Sequence, residues 1–436
     1  MGIKLDWRYG SVNSAHFGYQ LKREYDMTEL DIDFVRSQFP AFSDPSLENF
    51  LHFENAGGSY ACEQVINALH DYYTKTKLQP YYGFTPSQQA GEQMTRARQR
   101  MASWLNVSTE EVHFGPSTSQ NTYVVAQALK SYLKPGDEVI VTNQDHEANI
   151  GAWQRLEDSG IVVREWRVNG DTAELEDAGL EALLNENTRM VAFTHCSNIV
   201  GSINPVRRWA DKIHAANALV FVDGVSFAGH GLPNVDALGA DIYFFSLYKV
   251  YGPHLGVMVM RDAVNRALPH QGHFFNVGYA TSRFTPAGPD HAQIAAVNGV
   301  MDYFEALDSH HFDHNKVSDA ARTQRVGDLL HSAETANLKP LLDFLKDRRG
   351  INLIGKTTTD NRAPTVSFTV DGKTPEKAAR ALAEKNIGIA NGNCYAYRLM
   401  EALKIEPEQG VVRLSFVHYT SDKEMDILLD RLHQLT

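Results

Sequence analysis

The chain has 436 residues, 43% hydrophobic and 22% charged, a composition that excludes a disordered or collagen-like protein and leaves room for two or three domains. Its net charge of −12, without a long lysine or arginine run, argues against nucleic acid or an acidic membrane surface as partner. Nothing approaches the roughly 20 apolar residues of a spanning helix, and the scattered Cys62, Cys196 and Cys394 show neither a disulfide framework nor metal spacing. A cytoplasmic protein without membrane or metal is the expectation.

Residues 1–27 are polar and aromatic without a clear period and are read as an extension of unknown role. From about residue 60 to 260, strand-like runs alternate with helical ones. "DEVIVTNQ", "GIVVREWRV", "TRMVAFTHCS", "ALVFVDGVS" and "DIYFFSLYK" read as strands, and "SQNTYVVAQALKSYL", "ANIGAWQRLEDS" and "PVRRWADKIHAAN" as helices between them. Continuous apolar strands separated by helices predict an α/β domain whose mostly parallel sheet is covered on both faces, over residues 51–310. Beyond residue 310 the texture changes. "ARTQRVGDLLHSAETANLKPLLDFL", "TPEKAARALAEKN" and "SDKEMDILLDRLHQL" read as helices, and "APTVSFTV" and "GVVRLSFVHY" as strands. They predict a smaller α+β domain of residues 28–50 and 311–436.

In parallel sheets, ligands sit at the C-terminal strand ends, and polar residues collect there. Lys249 follows the apolar run "ADIYFFS", and Asp223 closes "LVFVD". A buried ammonium is usually paired, deprotonated or covalently used. A lysine for a Schiff base and an acid for a pyridinium proton are what a pyridoxal phosphate enzyme needs. A turn-capping aspartate and a snorkelling lysine explain the two residues equally well. Ser117, Thr118 and Ser119 open a helix and could hold a phosphate or act as a plain N-cap. His146 and Asn198 stand at strand ends, where stacking on a ring or an Asx turn would place them.

Together and in this order, these residues resemble the class V aminotransferase family of fold-type I pyridoxal phosphate enzymes, most closely its cysteine desulfurase and selenocysteine lyase branch. The similarity runs from about Met27 to the C-terminus. It is carried by "LHFENAGGSYA", by "VDGVSFAGHGLPNVDALGADIYFFSLYKVYGPHLGVMV" and by "VVRLSFVHYTSDKEMDILLDRL". The resemblance implies that Lys249 forms the aldimine with pyridoxal 5'-phosphate, that Asp223 holds the pyridine nitrogen and that His146 stacks on the ring. It implies that Thr118, Ser119 and Ser246 hold the phosphate, that Arg413 binds the substrate carboxylate, and that Asn55 and Asn198 approach the substrate or the cofactor oxygen. A homodimer, an amino-acid substrate and, for a desulfurase, a sulfur-acceptor protein follow from the same likeness.

Four departures qualify it. Tyr248 replaces a histidine but could still donate to a phosphate. Ser226 replaces a glutamine and is too short for the same ring contact. Pro289 stands where relatives carry a threonine that reaches the partner's phosphate, and it has neither hydroxyl nor N–H. Matching "YRLMEAL" to the helix after the family's catalytic cysteine puts Tyr395 at the thiol position and Cys394 one residue early. A one-residue shift turns an extended side chain to the other face, so Cys394 is read as structural or pocket-lining, with a persulfide role as the alternative. The first expectation is therefore desulfurase-like or C–S lyase chemistry. Transamination, epimerisation and a catalytically silent cofactor-binding protein are the other readings.

Overall fold

A computed structural model of the chain describes residues 28–313 and 317–435, and the extension 1–27 lies outside the described residues. In chain order the strands are β1 (Leu51–His52), β2 (Val112–Gly115), β3 (Glu138–Thr142), β4 (Val162–Trp166), β5 (Thr188–Thr194), β6 (Leu219–Asp223) and β7 (Ile242–Ser246). They continue with β8 (Gly256–Met260), β9 (Ile351–Ile354), β10 (Thr365–Val370), β11 (Ile387–Gly388), β12 (Ala390–Gly392) and β13 (Val411–Ser415).

The five strands read from apolar runs become β3 to β7 of a seven-stranded sheet in the order β2-β8-β7-β6-β5-β3-β4. Those five run parallel. β3 and β7 are buried along their whole length, as strands covered on two faces must be. β4, at the edge, alternates between exposed and half-buried positions up to the buried Trp166. The sequence reading missed β8, which runs antiparallel to β7, and β2, which pairs antiparallel with β8 at the other edge. Their apolar run is short and broken by His113 and two glycines. Gly256 is required there: a Cβ would stand 2.6 Å from the Ser117 carbonyl carbon, so glycine lets the next helix start against the strand.

That helix, Thr118–Tyr132, forms as expected with Ser117 as N-cap. The predicted helix over 148–159 is instead one α-turn, Gly151–Gln154, flanked by 3₁₀ turns. Ile150 leaves helical geometry with φ −126, and Gly160 ends the segment in the left-handed region. Two long helices, Thr85–Leu105 and His291–His311, pack on the sheet and were not predicted.

The second sheet is antiparallel in the order β12-β13-β10-β9. Leu338, Leu342, Leu382 and Leu428, from helices Asp319–Asp347, Pro375–Ala383 and Asp422–His433, share one apolar core with its Val366, Phe368 and Leu414. Leu51 and Phe53 belong to that core too, and β1 pairs with β11. The segment expected to open the large domain at residue 51 is thus tied to the smaller sheet, because its apolar residues alternate toward that core. No helix among the described residues is long and apolar enough to cross a membrane.

Candidate active site

The C-terminal ends of β6 and β7 and the start of helix Thr118–Tyr132 enclose a cleft of about 120 Å³. Lys249 ends a 3₁₀ turn directly after β7 and is 9% exposed. Its ammonium makes no hydrogen bond or ion pair within the described residues and opens to the cleft. Burial, with the positive charge of Arg413, pulls its pKa down to about 8, against the opposing pull of Asp223 and Glu54.

Asp223 closes β6. One carboxylate oxygen accepts from the Val225 N–H at 2.8 Å, and burial pushes its pKa up to about 6. Beneath it lies His195, a residue sequence reading passed over, stacked on Phe227 at 3.7 Å and bonded to the Tyr243 hydroxyl at 2.9 Å.

Thr118 and Ser246 are brought together across two elements, with their hydroxyls 2.5 Å apart. Ser119 is exposed beside them, where the first N–H groups of the helix lack intrahelical partners. Tyr248 lies flat on His254, with centroids 4.9 Å apart and planes 5° from parallel, and both rings line the cleft. The His254 role was invisible in the sequence, although its place two residues after Gly252 in "YGPHLG" is a signal. Ser226 also lines the cleft.

His146 caps the turn after β3 by accepting from the Ala148 N–H at 3.0 Å. Burial, and then Lys249 and Arg413, lower its pKa to about 4, so it is neutral at pH 7. The neighbouring Asp145, also unforeseen, is fully buried, takes hydrogen bonds from Thr142 and Asn149, and is driven well above the usual carboxylate range by burial.

Arg413 on β13 is 4% exposed, not a surface strand residue. It donates to Glu54 at 2.6 Å and to the Asn198 carbonyl at 3.1 Å. Asn198 donates to the Cys394 carbonyl at 2.9 Å, while its own side-chain oxygen is buried without a partner. Asn55 lines a small cavity together with Lys249 and is already engaged. Its amide donates to the His52 and Ser415 carbonyls, and its oxygen accepts from Tyr419. Those bonds brace its own segment against the end of β13.

Cys394 is half-buried, and burial raises its pKa, while Arg413 and Lys249 pull it down. Cys394 and Tyr395 both sit at positive φ, +47 and +62, in a sharp tip before helix Tyr397–Ala402. The Tyr395 ring is 71% exposed and leans on His146 at 5.0 Å. The side chain at the expected thiol position thus covers the imidazole.

This sheet, with an isolated lysine and a buried aspartate at its strand ends, has the fold-type I architecture of pyridoxal phosphate enzymes. The chain belongs to the aminotransferase class-V family, whose model matches residues 51–428. It is 33% identical to the aminotransferase-like protein FGM3 of Gibberella zeae over 94% of this chain and 99% of that protein. It is 27% identical to the cysteine desulfurase-like protein ustD of Aspergillus flavus, over 93% of this chain and 91% of that one. Its fold superposes on the apo cysteine desulfurase of Thermococcus onnurineus with a TM-score of 0.80 at 23% identity, covering 93% and 98% of the two chains.

Proposed function

We propose that the chain is a pyridoxal phosphate-dependent enzyme that cleaves the C–S bond of a cysteine-like amino acid, in the form that needs no enzyme thiol. The observation that carries this reading is the buried, unpaired Lys249 beside Asp223 in one cleft.

The residues present fit the cofactor. Lys249 would hold its aldehyde carbon, Asp223 its pyridine nitrogen and His146 its ring face. Thr118, Ser119, Ser246 and the free helix N–H groups would hold its phosphate, with Tyr248 at the rim. Bound there, pyridoxal phosphate supplies an electrophilic carbonyl and an electron sink. With a pKa of about 8, Lys249 carries about a tenth of its population as neutral amine at pH 7. That amine is the nucleophile. As a free amine, the same nitrogen would move the proton at the substrate's α carbon. Asp223 is 4% exposed, so its charge acts through a medium that screens poorly. Arg413 binds the substrate carboxylate and so fixes the α carbon relative to Lys249.

The Cys394 thiol, raised by burial and set one residue from the expected position, supports the lyase form over the persulfide form. The exposed loop aromatics Phe274, Phe275 and Tyr279 support a homodimer that covers them. The unpaired, buried Cys62 and Cys196 suit a reducing cytoplasm. The test is an absorbance titration of purified protein with L-cysteine and a panel of amino acids, followed by product analysis. A visible band that shifts with L-cysteine and yields sulfide, pyruvate and ammonia supports the reading, whereas alanine and enzyme-bound sulfur would restore the desulfurase form. Absence of any band after added cofactor would sink it.

A further inference from the structure

Arg413 already holds a carboxylate that belongs to the chain. Backbone geometry puts it there. The Ser415 N–H donates to the Phe53 carbonyl at 2.8 Å and the Asn55 N–H to the Ser415 carbonyl at 3.2 Å, while the Ala56 N–H donates to the Ser415 hydroxyl at 2.8 Å. Residues 53–56 therefore run along the end of β13. Arg413 and Ser415, two apart on that strand, face the same side.

Glu54 reaches the Nη2 of Arg413 at 2.6 Å. Its other oxygen rests over Gly57, where a Cβ would stand 2.1 Å away, so glycine makes the seat. The Nη1 of Arg413 is committed to the Asn198 carbonyl, and its Nε is buried without a partner. On a guanidinium, Nε and Nη2 form one fork that a carboxylate grips at two points. Glu54 fills half of that fork and leaves a buried donor empty, a costly state. With 28% of its side chain exposed, Glu54 has a route back to water, whereas Arg413 at 5% does not.

We propose that Glu54 is a carboxylate gate: the substrate's α-carboxylate displaces it from Arg413, takes the whole fork, and binds with an affinity that Glu54 sets by competition. This makes Glu54 a specificity residue, since only ligands carrying a carboxylate must do this work. The inference rests on the reading of Arg413 as the carboxylate binder.

The experiment is equilibrium titration of the cofactor-loaded protein with L-alanine and with ethylamine, the same ligand without its carboxylate. In Glu54→Gln, L-alanine should bind roughly tenfold more tightly, the scale of one charge-assisted contact removed from the competition, while ethylamine changes less than about twofold. Unchanged or weakened L-alanine binding, with a normal melting curve, overturns the gate. If Glu54→Gln does not fold, Glu54→Asp, which retracts the carboxylate by one methylene, should tighten L-alanine in the same way, and failure to do so is equally adverse. Arg413→Gln separates the two claims. Unaltered L-alanine affinity there removes the carboxylate reading itself. Weakened affinity there, without tightening in the Glu54 variants, removes only the gate.

Discussion

The hydroxyls of Thr118 and Ser246 lie 2.5 Å apart although 128 residues separate them. One opens a helix and the other ends a strand, so two elements converge on a single anion-sized space. Removing either hydroxyl should loosen the cofactor without moving it. Ser246→Ala and Thr118→Ala are each expected to weaken pyridoxal phosphate binding by roughly tenfold, the effect of one lost hydrogen bond to a charged group. Fluorescence titration of apo protein measures this, and wild-type affinity in both variants would count against the phosphate assignment.

Lys249 is expected to be the one covalent anchor. Borohydride treatment of the loaded wild-type protein, followed by peptide mass mapping, should leave the reduced cofactor on the peptide that holds Lys249. Lys249→Ala should yield no labelled peptide. A label on any other lysine would show that a different residue serves.

Asp223→Asn should separate binding from chemistry. Asparagine keeps the size and the contact with the Val225 N–H but loses the charge. The turnover rate is expected to fall on the order of a hundredfold or more, while cofactor affinity changes several-fold. Steady-state kinetics on a cysteine substrate, with cofactor content measured in parallel, checks it. An equal loss of both would make Asp223 a structural residue.

Cys394→Ala should leave sulfide release largely intact. The thiol is raised by burial, and its left-handed backbone at φ +47 holds it in a tight tip. Sulfide assay of the variant decides the matter, and complete loss would return the persulfide route.

The stability of the protein should decline in mild acid. His113, His195 and His418 are buried and neutral, each with its pKa lowered to about 3 by burial. The unfolded chain protonates them near the ordinary histidine value of about 6.5, so it binds more protons than the native state below that pH. Their contribution to stability is therefore full above about 6.5 and falls as pH drops toward 3. Each histidine contributes a slope of up to about 1.4 kcal/mol per pH unit. Urea midpoints at pH 7 and pH 5 measure it, and equal midpoints would contradict the buried-neutral assignment.

Lys249 and Asp223 were legible because a charge at the end of an apolar strand is costly unless used, and that cost can be read along a single stretch of chain. The parallel strands were legible for the same reason: their burial is continuous. Glu54 was not, since its meaning lies in a partner 359 residues away, placed by hydrogen bonds between backbones. His254 became visible only when Tyr248 was laid flat on it. The bonds of Asn55 to Ser415 and Tyr419 were not legible, since those partners lie 360 and 364 residues away. The short turn at 147–159 escaped because Ile150 breaks a helical pattern that its side chains satisfy.

The segment that carries Glu54 does one thing more. Immediately beyond it, the Ser59 N–H donates to the Tyr248 carbonyl at 3.0 Å and the Ser59 hydroxyl to the Lys249 carbonyl at 3.1 Å. A few residues thus join the strand of Arg413 to the turn of Lys249, one sheet to the other. This peptide is a ruler. On the proposed reading, it sets the span between the group that would grip a carboxylate and the group that would meet an amine. Lengthening it by a residue would shift the strand of Arg413 against the turn of Lys249, one sheet against the other.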